Sequence, residues 1–383
     1  MTTPFIPTLA EHSIIEIRHY LHRHPELSGA EYQTANYIAE QLQTLSPTAV
    51  YQGIAKTGVA AVFDSGYAGK SLLFRCELDA LPIQESHEEA YRSCRRGIAH
   101  QCGHDGHMAI ILQLAKAIAA KPPRRGRVVL LFQPAEETGE GANAVVADPQ
   151  FSAIRCDECF ALHNLPGYPL GEVIIRAGTF NCASRGMAIY LSGRTAHAAH
   201  PETGISPQLA VATLLQSFDD IPKQINADEL RMITVVHCDM GEKVFGTTPA
   251  DACLMATLRS ESDVVMQQLV TACSDLVAQL AKQHHLQYHI DWADVFAASV
   301  NDERCVKEVV DAAKKTGNTV RWIDAPFRWS EDFGALSAAS RGAMFAFGAG
   351  ENQAQIHNPD YRFADALIQQ GSDLFFEIYR QLR

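Results

Sequence analysis

The stretch Val128-Val-Leu-Leu-Phe-Gln-Pro-Ala-Glu-Glu137 decides the fold. Its first five residues are a continuous apolar run between Gly126 and Pro134, too short for a helix, and they read as a strand buried on both faces. A pair of carboxylates, Glu136 and Glu137, follows directly. The arrangement recurs on either side. Asp79 comes just after a strand through Leu72-Leu-Phe74, which lies across the turn-rich Asp64–Gly69 from Val59-Ala-Ala-Val-Phe63, and His163 comes just after Cys159-Phe-Ala-Leu162. Helical periodicity fills the intervals: Ile14, Ile17 and Leu21, then Ile38, Leu42 and Leu45 beyond the break at His24-Pro25, then residues 105 to 120. This alternation predicts an α/β protein with a mixed, mostly parallel sheet flanked by helices. Ligands bind such sheets beyond the carboxyl ends of their strands, so Asp79, Glu136, Glu137 and His163 are expected around one crevice.

The run His-Gln-Cys-Gly-His-Asp-Gly-His at residues 100 to 107 opens the third helix and concentrates metal-ligand chemistry. Cys102 and His104 can present a thiolate and an imidazole from one tight turn, with Gly103 letting the backbone bend. With Glu136-Glu137, His163 and the late Gln355-Ile-His357 the chain holds enough ligands for two divalent ions. His100, His107, His22 and His24 read as packing or supporting groups, and the other nine of the ten cysteines as reduced, buried small hydrophobes.

At 383 residues the chain is long enough for two domains. Its 47% hydrophobic and 20% charged content is that of a globular protein, without a long uncharged apolar run to span a bilayer. A net charge of -12 excludes nucleic acid as a partner, because that contact needs a basic surface. The N-terminal Met-Thr-Thr-Pro-Phe-Ile-Pro lacks the pattern of a secretory signal, so a cytoplasmic location is expected. Between about residues 185 and 293 the order changes to strand, helix, strand, strand, helix, strand, the split ferredoxin-like order. This predicts an inserted α+β domain at 185–293 within a discontinuous catalytic domain of residues 1–184 and 294–383.

Asp79-Ala-Leu-Pro82, Cys102-Gly-His-Asp-Gly-His107, Gln133-Pro-Ala-Glu-Glu137, His197-Ala-Ala199, the late His357-Asn-Pro-Asp-Tyr361 and the early Leu21-His-Arg-His-Pro-Glu26 together resemble the amidohydrolase branch of metallopeptidase family M-20. That branch includes hippurate hydrolases, indoleacetyl-amino-acid hydrolases, N-acetyldiaminopimelate deacetylases and aminoacylases. The resemblance spans nearly the whole chain. It implies that Cys102, His104, Glu137, His163 and His357 ligate two metal ions, with Glu136 as the general base and Asp79 orienting a ligand imidazole. It also implies that His197 stabilises the developing oxyanion and Arg259 holds a substrate carboxylate, and that the inserted domain serves as a lid and pairs two chains into a homodimer. Manganese or zinc suits the mixed donor set, with nickel and cobalt as other candidates.

The chain departs from the family pattern in three places. Gly246-Thr-Thr-Pro249 stands where relatives carry Asn-Val-Ile-Pro, Cys76-Glu77 replaces an Ala-Asp pair, and Ala256 replaces a glycine. The resulting expectation is a metal-dependent amidohydrolase that cleaves N-acyl amino acids to a carboxylate and a free amino acid. The alternatives are a metallo-dipeptidase or carboxypeptidase, a metal-free hydrolase with Cys102 as nucleophile, and a non-catalytic binding protein on the same scaffold.

Overall fold

The computed structural model describes residues 6–381. Its strands in chain order are β1 (Ala49–Ile54), β2 (Gly58–Asp64), β3 (Ser71–Glu77), β4 (Arg127–Gln133), β5 (Glu158–Leu165), β6 (Val173–Ile175), β7 (Gly178–Asn181), β8 (Ala183–Ser192), β9 (Arg231–Met240), β10 (Asp251–Ser260), β11 (Gln287–Phe296), β12 (Ser299–Asn301), β13 (Val320–Trp322) and β14 (Arg341–Gly348). The chain divides into two compact units. The first runs to Phe180 and resumes at Ser299–Pro326 and from Glu331 onward; the second is Asn181–Ala298 with Phe327–Ser330.

In the first unit eight strands form one sheet in the order β1-β2-β4-β3-β5-β14-β6-β13. The central block β4-β3-β5-β14 is parallel; β2 and β6 join it antiparallel, and β1 pairs antiparallel with β2. Val128 to Phe132 are all buried, as a central strand covered on both faces requires. Alternate residues of these strands pack in one core with helices Ile14–Arg23, Tyr32–Gln43, His104–Ala120, Glu303–Thr316 and Ala366–Gln381. Helices Gly141–Ala147 and Gly334–Ala339 lie against the strands as well. The first helix starts on a reciprocal capping box: Ser13 accepts from the Glu16 N–H, and the Glu16 carboxylate accepts from the Ser13 N–H.

One expectation needs correcting. β5 extends to Leu165, so His163 projects from inside the strand rather than from the loop after it. Asp79 and Glu136-Glu137 do lie past the carboxyl ends of β3 and β4.

The second unit is a four-stranded antiparallel sheet, β11-β8-β10-β9, joined by helices Gln208–Gln224 and Asp263–Gln283. Taken along the chain its elements follow the split β-α-β order. Helix Asp263–Gln283 is long and apolar enough to cross a membrane by length and composition, where the sequence reading expected no such run. Its Met266, Leu269, Cys273, Val277 and Leu280 recur at helical spacing and are buried in the core of this unit, which accounts for the apolar content.

Candidate metal centre

The site is built on the carboxyl edge of β3, β4 and β5 and on the turn that opens helix His104–Ala120. That turn needs Gly103: its φ is +91°, and a Cβ there would fall 2.4 Å from Asn164 Oδ1 and 2.9 Å from Tyr361 Oη. The backbone therefore swings Cys102 and His104 to the same side. Asp79 then fixes the imidazole. His104 Nδ1 donates to the Asp79 carbonyl at 2.9 Å and lies 3.3 Å from Asp79 Oδ1, which leaves Nε2 facing the crevice. The same Asp79 carboxylate accepts from the Ser28 hydroxyl at 2.7 Å and from the Glu137 N–H at 3.0 Å, tying the Glu-Glu loop to β3.

The remaining donors converge on this point. Cys102 Sγ lies 3.3 Å from His163 Nε2 and 3.4 Å from His357 Nε2. His357 Nε2 is 3.6 Å from Glu137 Oε2, and His104 Nε2 is 3.8 Å from Glu137 Oε1 and 3.9 Å from Glu136 Oε2. Two triads, Cys102-His104-His163 and Cys102-Glu137-His357, each hold their donor atoms within 4.8 Å and share the thiol. His163 Nδ1 donates to the Asn164 carbonyl at 2.8 Å, so its Nε2 carries the lone pair turned toward Cys102. His357 adopts φ +66° and donates its N–H to the Gln101 carbonyl, while the Gln101 amide donates to the Asn358 and Pro359 carbonyls. Those bonds seat the late motif beside Cys102.

These residues fit a pair of divalent cations. His104 Nε2 and Glu137 Oε1 are buried without a hydrogen-bond partner, an arrangement that costs free energy unless something charged lies between them. Burial and the neighbouring Glu331, Glu137 and Asp332 carboxylates push Glu136 well above the usual range despite Arg75, and burial pushes Glu137 to about 7. Positive charge placed among them would restore the carboxylate forms. Burial holds His163 well below its usual value and His357 below it, so both imidazoles are neutral, the form that ligates metal. Burial opposes charge on His104, yet Asp79, Glu77 and Glu137 carry it to about 10.

A buried charge network supports the loop from below. Arg75, fully buried in β3, donates to Gln133 Oε1 at 2.9 Å, Glu331 at 2.8 Å and Asp332 at 2.6 Å, and it also pairs with Glu77. The Gln133 amide and the Ala142 N–H donate to Asp332. Glu31 accepts from the Ala135 N–H at 2.8 Å, steadying a residue at φ +50° immediately before Glu136. Sequence reasoning missed Arg75, Glu31, Glu331 and Asp332. The available signal was a charge inside the apolar run Ser71–Glu77.

His107 is a supporting group: Nδ1 meets Glu77 at 2.6 Å and Nε2 accepts from the Asn164 N–H at 3.2 Å. His100 is fully buried with neither ring nitrogen hydrogen-bonded, and burial pushes it down to about 3 despite Asp105. His197 and Arg259 belong to the second unit. His197 is exposed, with Nδ1 accepting from the Ala199 N–H at 3.1 Å. Arg259 donates through Nη1 to the Arg328 carbonyl at 2.6 Å and Ser330 Oγ at 3.0 Å.

The model of Peptidase family M20/M25/M40 matches residues 73–381. The chain is 31% identical to N-acetyl-L-cysteine deacetylase of Bacillus subtilis (strain 168), covering 97% of this chain and 88% of the relative. It is 28% identical to hippurate hydrolase of Campylobacter jejuni, over 95% of this chain and 94% of the relative. The crystal structure of the Bacillus subtilis YXEP protein, a dinuclear metal binding peptidase of the same family, shares the fold with a TM-score of 0.79 at 23% identity, covering 95% of this chain and 96% of that one. The chain belongs to peptidase family M20 and is a hydrolase acting on amide bonds.

Proposed function

We propose that the protein cleaves the amide of N-acyl amino acids, releasing a carboxylate and a free amino acid, with two divalent ions held by Cys102, His104, Glu137, His163 and His357. The observation that carries this reading is the convergence of those five side chains, with Nε2 of His104 and Glu137 Oε1 buried and unpartnered. When bound, such ions supply a Lewis acid for the amide carbonyl and acidify a water. Glu136 takes the proton from the attacking water and delivers it to the leaving nitrogen, a role for which a buried carboxylate beside the donor set is suited. Asp79 holds the His104 ring in orientation.

The donor set of imidazole, carboxylate and thiol suits manganese or zinc, and nickel or cobalt at lower preference. Relatives named for N-acetyl-L-cysteine, hippurate and N-acetyldiaminopimelate favour small acylated amino acids over dipeptides. A metal-free cysteine hydrolase is disfavoured, because burial and the Glu137, Glu136 and Glu77 carboxylates push the Cys102 thiol well up, away from a nucleophilic thiolate. A binding-only role is disfavoured by the presence of Glu136 beside the full donor set.

From the resemblance we assign oxyanion stabilisation to His197 and substrate-carboxylate binding to Arg259, and we take residues 185–293 as the lid and dimerisation domain. β9 is an edge strand with Val236 and Phe245 exposed on and beyond it, a surface suited to pairing. A panel of N-acetyl, N-benzoyl and N-indoleacetyl amino acids tests the substrate class by amino-acid release. Cleavage confined to unacylated dipeptides would replace this reading with a dipeptidase.

A further inference from the structure

A second buried cluster lies apart from the donors described above. His22, on the first helix, places Nε2 2.9 Å from Glu85 Oε2, and His87 places its own Nε2 2.9 Å from the same oxygen. All three side chains are nearly inaccessible, and their donor atoms lie within 4.8 Å of one another.

Three features distinguish this cluster from an ordinary buried ion pair. The first concerns His87: it is 5% exposed, yet neither of its ring nitrogens has a hydrogen-bond partner, and its approach to Glu85 lacks hydrogen-bond alignment. Buried polar groups are normally satisfied, so an imidazole in this state needs a ligand. The second concerns His22, whose Nδ1 meets Asp105 Oδ2 at 3.0 Å while Arg18 Nε holds the same oxygen at 3.1 Å. A carboxylate behind one ring nitrogen is the usual way a ligating histidine is oriented, with the other nitrogen directed at the ion. The third is the setting of the carboxylate: the buried Glu85 meets the two imidazoles, while the Arg18 guanidinium pairs with Asp105 and Asp365 instead.

We infer that His22, Glu85 and His87 form a further divalent-cation site of the zinc class, separate from the paired site. Two imidazoles and one carboxylate are an established zinc donor set, with a solvent position completing the coordination. The site joins the first helix to the loop after β3, and through Asp105 it braces the turn that presents His104. Its role is a staple rather than chemistry.

The test is zinc bound per full-length chain after equilibrium dialysis, measured on the wild type, on His87→Gln and on the same substitution in a Cys102→Ala background. The expected result is about three ions for the wild type and about two for His87→Gln, and the loss of one ion again in the Cys102→Ala background. Because the readout is the difference between each parent and its His87→Gln derivative, failure of the paired site lowers both members equally and is recognised separately. Cobalt loading guards against misfolding: His87→Gln should lower the visible d–d absorption by the share of one ion while keeping the thiolate charge-transfer bands, and Glu85→Gln should behave alike. Equal zinc content in parent and His87→Gln derivative in both backgrounds would overturn the site and leave His22 as an imidazolium held between Glu85 and Asp105.

Discussion

Two clusters of buried histidines and carboxylates, built from the same residue types, differ in where the ring nitrogens are committed. Around Cys102, protein carbonyls take Nδ1 of His104 and His163, and both Nε2 atoms face a crevice at the end of the sheet. Around Glu85, His22 has both nitrogens against carboxylates, and His87 lies 2.9 Å from Glu85 without a hydrogen bond. Residue identity therefore does not separate a reactive site from a supporting one. The carbonyl or carboxylate behind each ring does, because it fixes the tautomer and the direction of the lone pair. A second difference is how tightly the carboxylates are held. Glu136 stands 3.9 Å from His104 Nε2, whereas Glu85 and Asp105 in the second cluster lie 2.9 and 3.0 Å from the His22 ring nitrogens.

Breaking the chemistry while keeping the donors should have the largest effect. Glu136→Gln is expected to lower kcat by about 100- to 10,000-fold with metal content retained, measured by turnover alongside metal analysis. Equal loss of metal would recast Glu136 as a ligand. Removing the charge beneath the loop comes next: Arg75→Met strands Glu77, Glu331 and Asp332, and denaturant unfolding should show a loss of about 3–5 kcal/mol. Asp79→Asn should weaken metal affinity by about 10- to 100-fold in competition with a chelator, since the carboxylate behind His104 is lost while the ligand stays. The smallest effect should come from Ser13→Ala, far from both clusters, at about 1 kcal/mol in the same unfolding measurement.

The sequence exposed what was local. Val128 to Phe132 carried its strand in its composition, and Cys102-Gly-His104 carried its turn, because both signals lie within a few residues. The position of His163 was misjudged by a few residues because the apolar run Cys159–Leu162 ends before the strand does; Asn164 and Leu165 continue the pairing with β14. The Arg75 network stayed hidden because Glu331 and Asp332 lie more than 250 positions away and nothing near Arg75 announces them. The contact of His22 with Glu85 was illegible for the same reason, and His22 read as structural. Short β6 and β13 gave no periodic signal, and they owe their place to neighbours on the sheet.

The most direct test of the central claim is hydrolysis of an N-acyl amino acid by purified protein before chelation, after it, and after manganese or zinc add-back. The account predicts that amino-acid release stops when the metal is removed and returns when either ion is restored. Full turnover by the chelated, metal-free protein would contradict it.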